Sequence, residues 1–372
     1  LYINALFQVE GKHMAEHTQL IWEIGTGYDL FTSLEVLHNP DRYGLRGSWA
    51  AGVRSRLPVE QRDLLQDLLK DGHMWAIPWL AGLDGPKDSK TIIERIAEIP
   101  AAGRLPKFGS CYMWPETQDF LANIMARAVW DETDKETLKE MYKTLYRKEG
   151  KKAKKISDSE IEMTLTVWAE AEKYGEGLLK ALETYYEVFF AEEERRILPA
   201  LEETVASSKA LAKEMPLEDL LNQLSQGLRF DYESTSEMKE LIMVPSFWTT
   251  PLTLFTTFGQ GHERWIFMYG GRPSTMSLVP GDVVPELLYQ TLKALADPTR
   301  LRILKYLAEE PSTPAELARR LRLRPPTVIH HLDALRLARL VHVTLSMQGR
   351  RYEARREAID DTCNLLGTFL DS

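Results

Sequence analysis

Apolar side chains recur every three or four positions along most of this chain, which is the spacing of one buried face of a helix. Residues 20–70 read as helical with breaks. Residues 28–37 carry apolar groups at helical spacing, and Asn39-Pro40 ends that run. Pro58 opens the next helix, where Leu64, Leu65, Leu68 and Leu69 form a stripe. Residues 71–116 mix aromatic side chains with breakers, and residues 117–146 return to helical spacing. Residues 157–213 are again helical and rich in glutamate, with Pro199 expected to break or restart a helix. The basic stretch at 147–155 is expected to be a solvated connection, with an auxiliary phosphate contact as the alternative.

Near residue 238 the period changes. Residues 241–244, 252–258 and 264–269 are β-branched and aromatic, and glycines separate or close them. They predict three strands of a small antiparallel sheet. Pro273, Pro280 and Pro285 mark a linker over 272–285.

The pattern after the linker is more specific. Residues 286–296 predict a helix with Leu287, Leu288, Leu292 and Leu295 apolar. Asp297-Pro298 is a strong helix start, with an N-cap acceptor followed by a residue whose ring suits the first turn. Leu301, Ile303, Leu304 and Leu307 supply the buried side of that helix, and Pro311 stops it. Thr313-Pro314-Ala315-Glu316 is a capping box, and the small Ala318 allows the following helix to approach closely. Arg322, Leu323 and Arg324 form a turn, and Pro325-Pro326 start another helix. Val328, Leu332 and Leu335 point inward, leaving Thr327, His330 and His331 toward the outside. Val341, Val343 and Leu345 then alternate as a strand, Gln348-Gly349 turns, and Arg350, Arg351 and Tyr352 return. The expected fold is mainly α with small β elements: a helical N-terminal domain with its sheet, then a C-terminal winged helix-turn-helix.

Charge sharpens this division. The 372 residues hold 46 Lys+Arg against 55 Asp+Glu, a net charge of −9. Residues 286–372 alone are net positive, and residues 1–285 are strongly acidic. Between 319 and 356 stand Arg319, Arg320, Arg322, Arg324, Arg336, Arg339, Arg350, Arg351, Arg355 and Arg356, against Asp333 and Glu353. A basic stripe on an acidic protein calls for a polyanionic partner. Recognition helices present short polar groups and imidazoles to base edges in the major groove, and an arginine-rich wing suits phosphate or a narrow minor groove. The residues expected to contact DNA are therefore Arg322, Arg324, Pro326, Thr327, His330, His331, Arg350 and Arg351.

The remaining composition narrows the classes. Two cysteines, Cys111 and Cys363, are too few for a disulfide scaffold and suit a reducing cytoplasm. No apolar run approaches bilayer length, so no membrane partner is expected. Residues 1–13 resemble an expression leader, with the natural start expected at Met14 and the N-terminal domain spanning 14–285. His13-Met-Ala-Glu16-His17 fits a zinc-peptidase pattern, but one histidine falls in that leader, and chance is the better account. No phosphate loop, complete dinucleotide fingerprint or nucleophile elbow occurs, so no enzyme activity and no cofactor are expected.

Residues 296–304 (Ala-Asp-Pro-Thr-Arg-Leu-Arg-Ile-Leu) and 326–332 (Pro-Thr-Val-Ile-His-His-Leu) resemble the signatures of ArsR-type winged-helix regulators. The resemblance covers roughly residues 286–370. It implies a homodimer that represses its operator on double-stranded DNA and releases it when a ligand binds. It also implies a dimer seam from the first helix (286–296) and the last (356–370, with Ile359, Leu365, Leu366 and Phe369), although those faces could instead pack on the N-terminal body. This chain departs from the pattern at Ile329, where a serine often precedes the paired histidines, and at Arg324, where a serine cap is common. Metal-sensing members use cysteine pairs in the first helix of the helix-turn-helix, or Asp and His pairs on the last helix. Residues 312–321 hold no cysteine, and the last helix has Asp360, Asp361 and Cys363 without histidine, so no metal site is expected. The acidic body is expected to hold a small-molecule effector in an aromatic pocket from Trp75, Trp79, Tyr112, Trp114 and Trp248. A protein-interaction platform, or an enzyme domain fused to a DNA-binding module, stand as alternatives.

Overall fold

The computed structural model describes residues 18–69, 76–109, 113–148, 156–230, 238–258, 264–281, 284–346 and 349–371. Residues 1–17, which hold the expected leader and the histidine pattern, Trp75, Cys111, Tyr112, Gln348 and most of the basic stretch lie outside the described residues.

The body opens with β1 (Gln19–Trp22) and α1 (Thr26–His38), followed by α2 (Pro40–Tyr43), α3 (Gly47–Arg54), α4 (Val59–Leu69), α5 (Ile77–Ala81), α6 (Ser89–Glu98) and α7 (Ala101–Gly109). A bundle of α8 (Pro115–Arg127), α9 (Glu132–Lys148) and α10 (Asp158–Ala169) closes on Leu121, Ile124, Leu138, Ile161 and Leu165. A long rod follows: α11 (Ala171–Tyr185), a π-helical turn (Tyr186–Phe190) and α12 (Ala191–Leu211). Pro199 lies inside α12 and does not break it as the sequence predicts. Ile197, Ala200 and Leu201 around it are buried, and that packing outweighs the roughly 3 kcal/mol an interior proline costs. The body ends with α13 (Leu217–Leu224), β2 (Leu228–Phe230), β3 (Glu240–Ser246), β4 (Leu254–Phe258) and β5 (Arg264–Gly270).

The sheet order is β1-β3-β5-β4. β1 and β5 each pair parallel with β3, and only β4 runs antiparallel, at the edge against β5. The sheet is thus mixed, with four strands, where the sequence predicts three antiparallel ones. The hairpin β4–β5 turns back locally, but β3 lies on the far side of β5 in the same direction as it. Side chains alternate across the sheet. Ile242, Val244, Ile266 and Met268 enter the main core, while Leu241, Met243, Trp265, Phe267 and Tyr269 pack on the other face with Leu220 and Leu221 of α13. Both faces are covered, which is why these strands are apolar at nearly every position.

All thirteen residues of α1 are buried. Several of its polar side chains are accordingly bonded. Thr32 and Ser33 donate to the carbonyls of Tyr28 and Leu30, and Tyr185 donates to Ser33 Oγ at 2.8 Å. Asp29 accepts from Ser246 Oγ (2.7 Å) and from the backbone amides of Trp248 (2.9 Å) and Phe247 (3.3 Å), which ties α1 to the end of β3. Burial pushes its carboxyl up to about 7 despite these donors.

The C-terminal region comprises α14 (Glu286–Leu295), α15 (Pro298–Glu309), α16 (Pro314–Leu321), α17 (Pro325–Leu337), β6 (Val341–Ser346), β7 (Gly349–Ala354) and α18 (Glu357–Asp371). Its own core gathers Ile303, Leu307, Leu317, Leu321, Val328, Leu332, Leu335 and Tyr352. The hairpin β6–β7 gains a third strand from the body: β2 pairs parallel with β6, Leu228 to Phe230 against Val343 to Leu345.

Candidate nucleic-acid interface

Each helix of the C-terminal region starts on a device written in the sequence. Asp297 caps α15 by accepting from the Arg300 amide at 2.9 Å. At α16 the box closes both ways: the Glu316 amide donates to Thr313 Oγ1 (3.3 Å), and the Thr313 amide donates to Glu316 Oε2 (2.7 Å). These bonds from Thr313 hold the Glu316 carboxyl below its usual range. Arg322 ends α16 in the left-handed region (φ 56°), and the Leu323 amide returns to the Ala318 carbonyl at 3.0 Å. That tight turn sets α17 across α16, with Ala318 buried. Arg324 caps α17 without a side-chain acceptor, as its residue type dictates.

Val328, Leu332 and Leu335 are fully buried, which fixes the rotation of α17. Arg322, Arg324, Pro326, Thr327 and His330 are all exposed, on the turn and the first turns of that helix. His331 is placed differently from the expectation. It is half-buried, with Nδ1 3.9 Å from Asp297 Oδ1, and burial lowers its pKa. It packs against the scaffold beside the α15 cap. Ile329, noted from sequence only as a departure, stands 42% exposed on the outer face, where an apolar group can meet a thymine methyl. Its place beside Pro326 and His330 on the outer side of the helix was the available signal.

The wing is held to the helices at its base. Ser312 and Tyr352 exchange both backbone hydrogen bonds (2.9 and 2.8 Å). Arg351 is exposed, with Nη2 donating to the Pro311 carbonyl at 3.0 Å, and Arg350 is half-buried beside Tyr352.

The basic stripe is divided by the fold. Arg319, Arg322, Arg324 and Arg351 are exposed. Arg320 is paired with Glu309 and Glu310 at 2.9 Å, and Arg355 lies 3.0 Å from Glu357. Arg336 lies 4.0 Å from Asp333, and burial lowers it. Arg339 follows α17 with φ 55° and turns toward the body. The sequence count of ten arginines therefore overstates the charge available to a polyanion.

Residues 297–343 match the family model described as bacterial regulatory protein, arsR family. This segment is similar to the arsR-family helix-turn-helix. No curated protein and no solved structure matches the chain. The arsR match starts at the Asp297 cap and ends in β6, so it contains α15, α16 and α17 and leaves the body outside. This match supports DNA-binding transcriptional regulation and implies DNA as a partner.

Of the aromatic residues expected in an effector pocket, Trp79, Trp114 and Trp248 fall among the described residues. Trp79 is 6% exposed and lies 4.7 Å from the Phe108 ring, while Trp248 is fully buried and stacks on Trp49 at 6.3 Å. Trp114 sits half-buried at the start of α8. Trp79 and Trp248 are core residues, each held by different rings. Among the described residues no helix is long and apolar enough to cross a membrane, and no group of three His, Cys, Asp or Glu is placed to hold a metal.

Proposed function

We propose that this regulator is a homodimeric, cytoplasmic repressor that reads a two-fold DNA site and whose N-terminal body responds to a small organic ligand. The observation that carries the DNA-reading part is the exposure of Arg322, Arg324, Pro326, Thr327 and His330 around the start of α17, with Arg351 on the wing beside α16. This juxtaposition suits α17 in a major groove and the wing over the neighbouring backbone.

Dimerisation is supported by an uncovered apolar face. On α14, Leu288, Thr291 and Ala294 pack inward while Tyr289 and Leu292 are each 43% exposed. On α18 only Ala358 is buried, and Ile359 and Leu370 are exposed. The body leaves these side chains uncovered, and a second copy would cover them. Light scattering of wild type and Leu292→Glu, with binding-site selection on both, tests the reading. A wild-type dimer selecting a palindrome, and a variant shifted toward monomer with weaker duplex binding, are expected. A wild-type monomer, or selection of an asymmetric single site, would count against it.

A further inference from the structure

The seam between body and DNA-binding domain buries positive charge. Arg272, just after β5, is 7% exposed. Its Nη2 donates to the Thr250 carbonyl at 3.0 Å and its amide to Thr250 Oγ1 at 3.1 Å, while its Nη1 is buried with no acceptor among the described residues. Arg339, from the other side of the seam, has a buried Nε that also lacks one. Both arginines line one cleft together with Tyr43, Glu286, Gln290 and Leu337. The Gln290 amide joins the two parts, donating to the Gly44 carbonyl at 2.6 Å and to Glu286 Oε1 at 2.7 Å.

The charges lining this cleft do not balance. Two guanidinium groups line it with a single carboxylate, Glu286; Glu193 also acts on Arg272 but is itself paired with Arg196 at 2.5 Å. Burial pushes Arg339 down to about 9 and Arg272 to about 10, and for Arg339 the charge of Arg272 adds to that effect. Arginine nevertheless keeps its proton in proteins, so a negative group placed against these unpartnered nitrogens would be stabilised. The first turn of α14, from which Glu286 and Leu287 line the cleft, adds the positive end of a helix. The inner space holds about one water-sized atom and opens to solvent at its mouth, so a single oxygen of an occupant enters it and the rest of its head group stays at the mouth.

We propose that this cleft binds one oxyanion group, a carboxylate or a phosphate, of a small polar metabolite, and that its occupancy couples the body to α17. The coupling rests on reading the chain as a ligand-responsive regulator; the binding step does not. The cleft is built from both sides, by Tyr43 and Arg272 of the body and by Leu337, the last residue of α17, with Arg339. An anion bridging these parts favours one orientation of α17, and that differential affinity is what shifts DNA binding.

The test uses the full chain, with inorganic phosphate and acetate titrated at ionic strength held constant with chloride, followed by calorimetry and thermal melting. Saturable binding of at least one probe is expected, and which one binds tells a phosphate from a carboxylate head. Glu286→Gln should tighten it several-fold by removing the competing carboxylate. Arg339→Gln should weaken it by about tenfold or more. No saturable binding of either probe overturns the site, as does a Glu286→Gln variant that binds no tighter than wild type; that variant keeps the test decisive if Arg339→Gln does not fold. Duplex affinity with and without the bound probe is the second arm, and no change overturns the coupling. Anion binding by a chain that holds no duplex would sink the regulator reading and leave the site standing.

Discussion

Arg229 in β2 of the body places Nη1 2.7 Å from Oε2 of Glu353 in β7 of the wing. Both side chains are about 40% exposed, so the pair itself contributes less than about 1 kcal/mol. The backbone beneath it contributes more. The Val343 amide donates to the Gly227 carbonyl at 2.7 Å, and Gly227 holds φ 119° with a hypothetical Cβ 2.9 Å from the Val341 carbonyl oxygen. Gly227→Val should therefore open the joint between body and wing and destabilise the protein by about 1–3 kcal/mol. Arg229→Ala should stay within about 1 kcal/mol of wild type. Hydrogen exchange at the Val343 amide checks this: unchanged protection in Gly227→Val would show that the strand contact is incidental.

Replacing Arg350 and Arg351 together by alanine should weaken binding to every duplex sequence alike. The slope of log affinity against log salt should fall by about one to two. Because Arg351 also bonds Pro311, a melting curve of the variant is needed beside the titrations. Equal affinities for wild type and variant at several salt concentrations would remove the wing from the interface.

Thr327 and His330 are exposed on α17, whereas His331 leans on the Asp297 cap. Thr327→Ala and His330→Ala should change the selected sequence at one or two positions, each worth about 1–3 kcal/mol of discrimination. His331→Ala should alter stability and leave the selected motif intact. An unchanged motif in all three variants would mean that these side chains do not read bases.

Glu35 in α1 is 1% exposed, and burial pushes its carboxyl from 4.5 up to about 8. Asn39 Nδ2 donates to its Oε1 at 3.2 Å, Arg42 is 3.6 Å away, and Oε2 is unpartnered. The folded state then holds a proton that the unfolded chain releases above pH 4.5. Its contribution is full below that value and is lost as pH rises to about 8, by up to about 1.4 kcal/mol per unit. Glu35→Gln should flatten the fall of wild-type stability between pH 5 and 8, and denaturant titrations across that range measure it. Parallel curves for the two proteins would place the proton elsewhere.

The C-terminal region was largely legible because its signals are local. The Asp297 cap, the Thr313–Glu316 box and the inward Val328, Leu332 and Leu335 each involve residues only a few positions apart. β1 and β2 were not legible. They are four and three residues long and pair with partners more than a hundred positions away, Gln19 with Glu240 and Leu228 with Val343. No periodicity in so short a run can announce a parallel partner. Arg336 and Arg339 misled for the opposite reason. A count of charges cannot distinguish a guanidinium facing solvent from one folded into a seam, and Arg272, which lies in the proline-rich linker by sequence, gave no sign that it would meet Arg339 there.

Because the body lends a strand to the wing's sheet, the C-terminal region is not a detachable module. A fragment beginning at residue 286 would bare the outer hydrogen-bonding groups of β6, and a bare strand edge recruits other chains. Self-association or a loosened wing in such a fragment would then arise from the cut itself, and affinities measured on it would understate what the intact chain does on DNA.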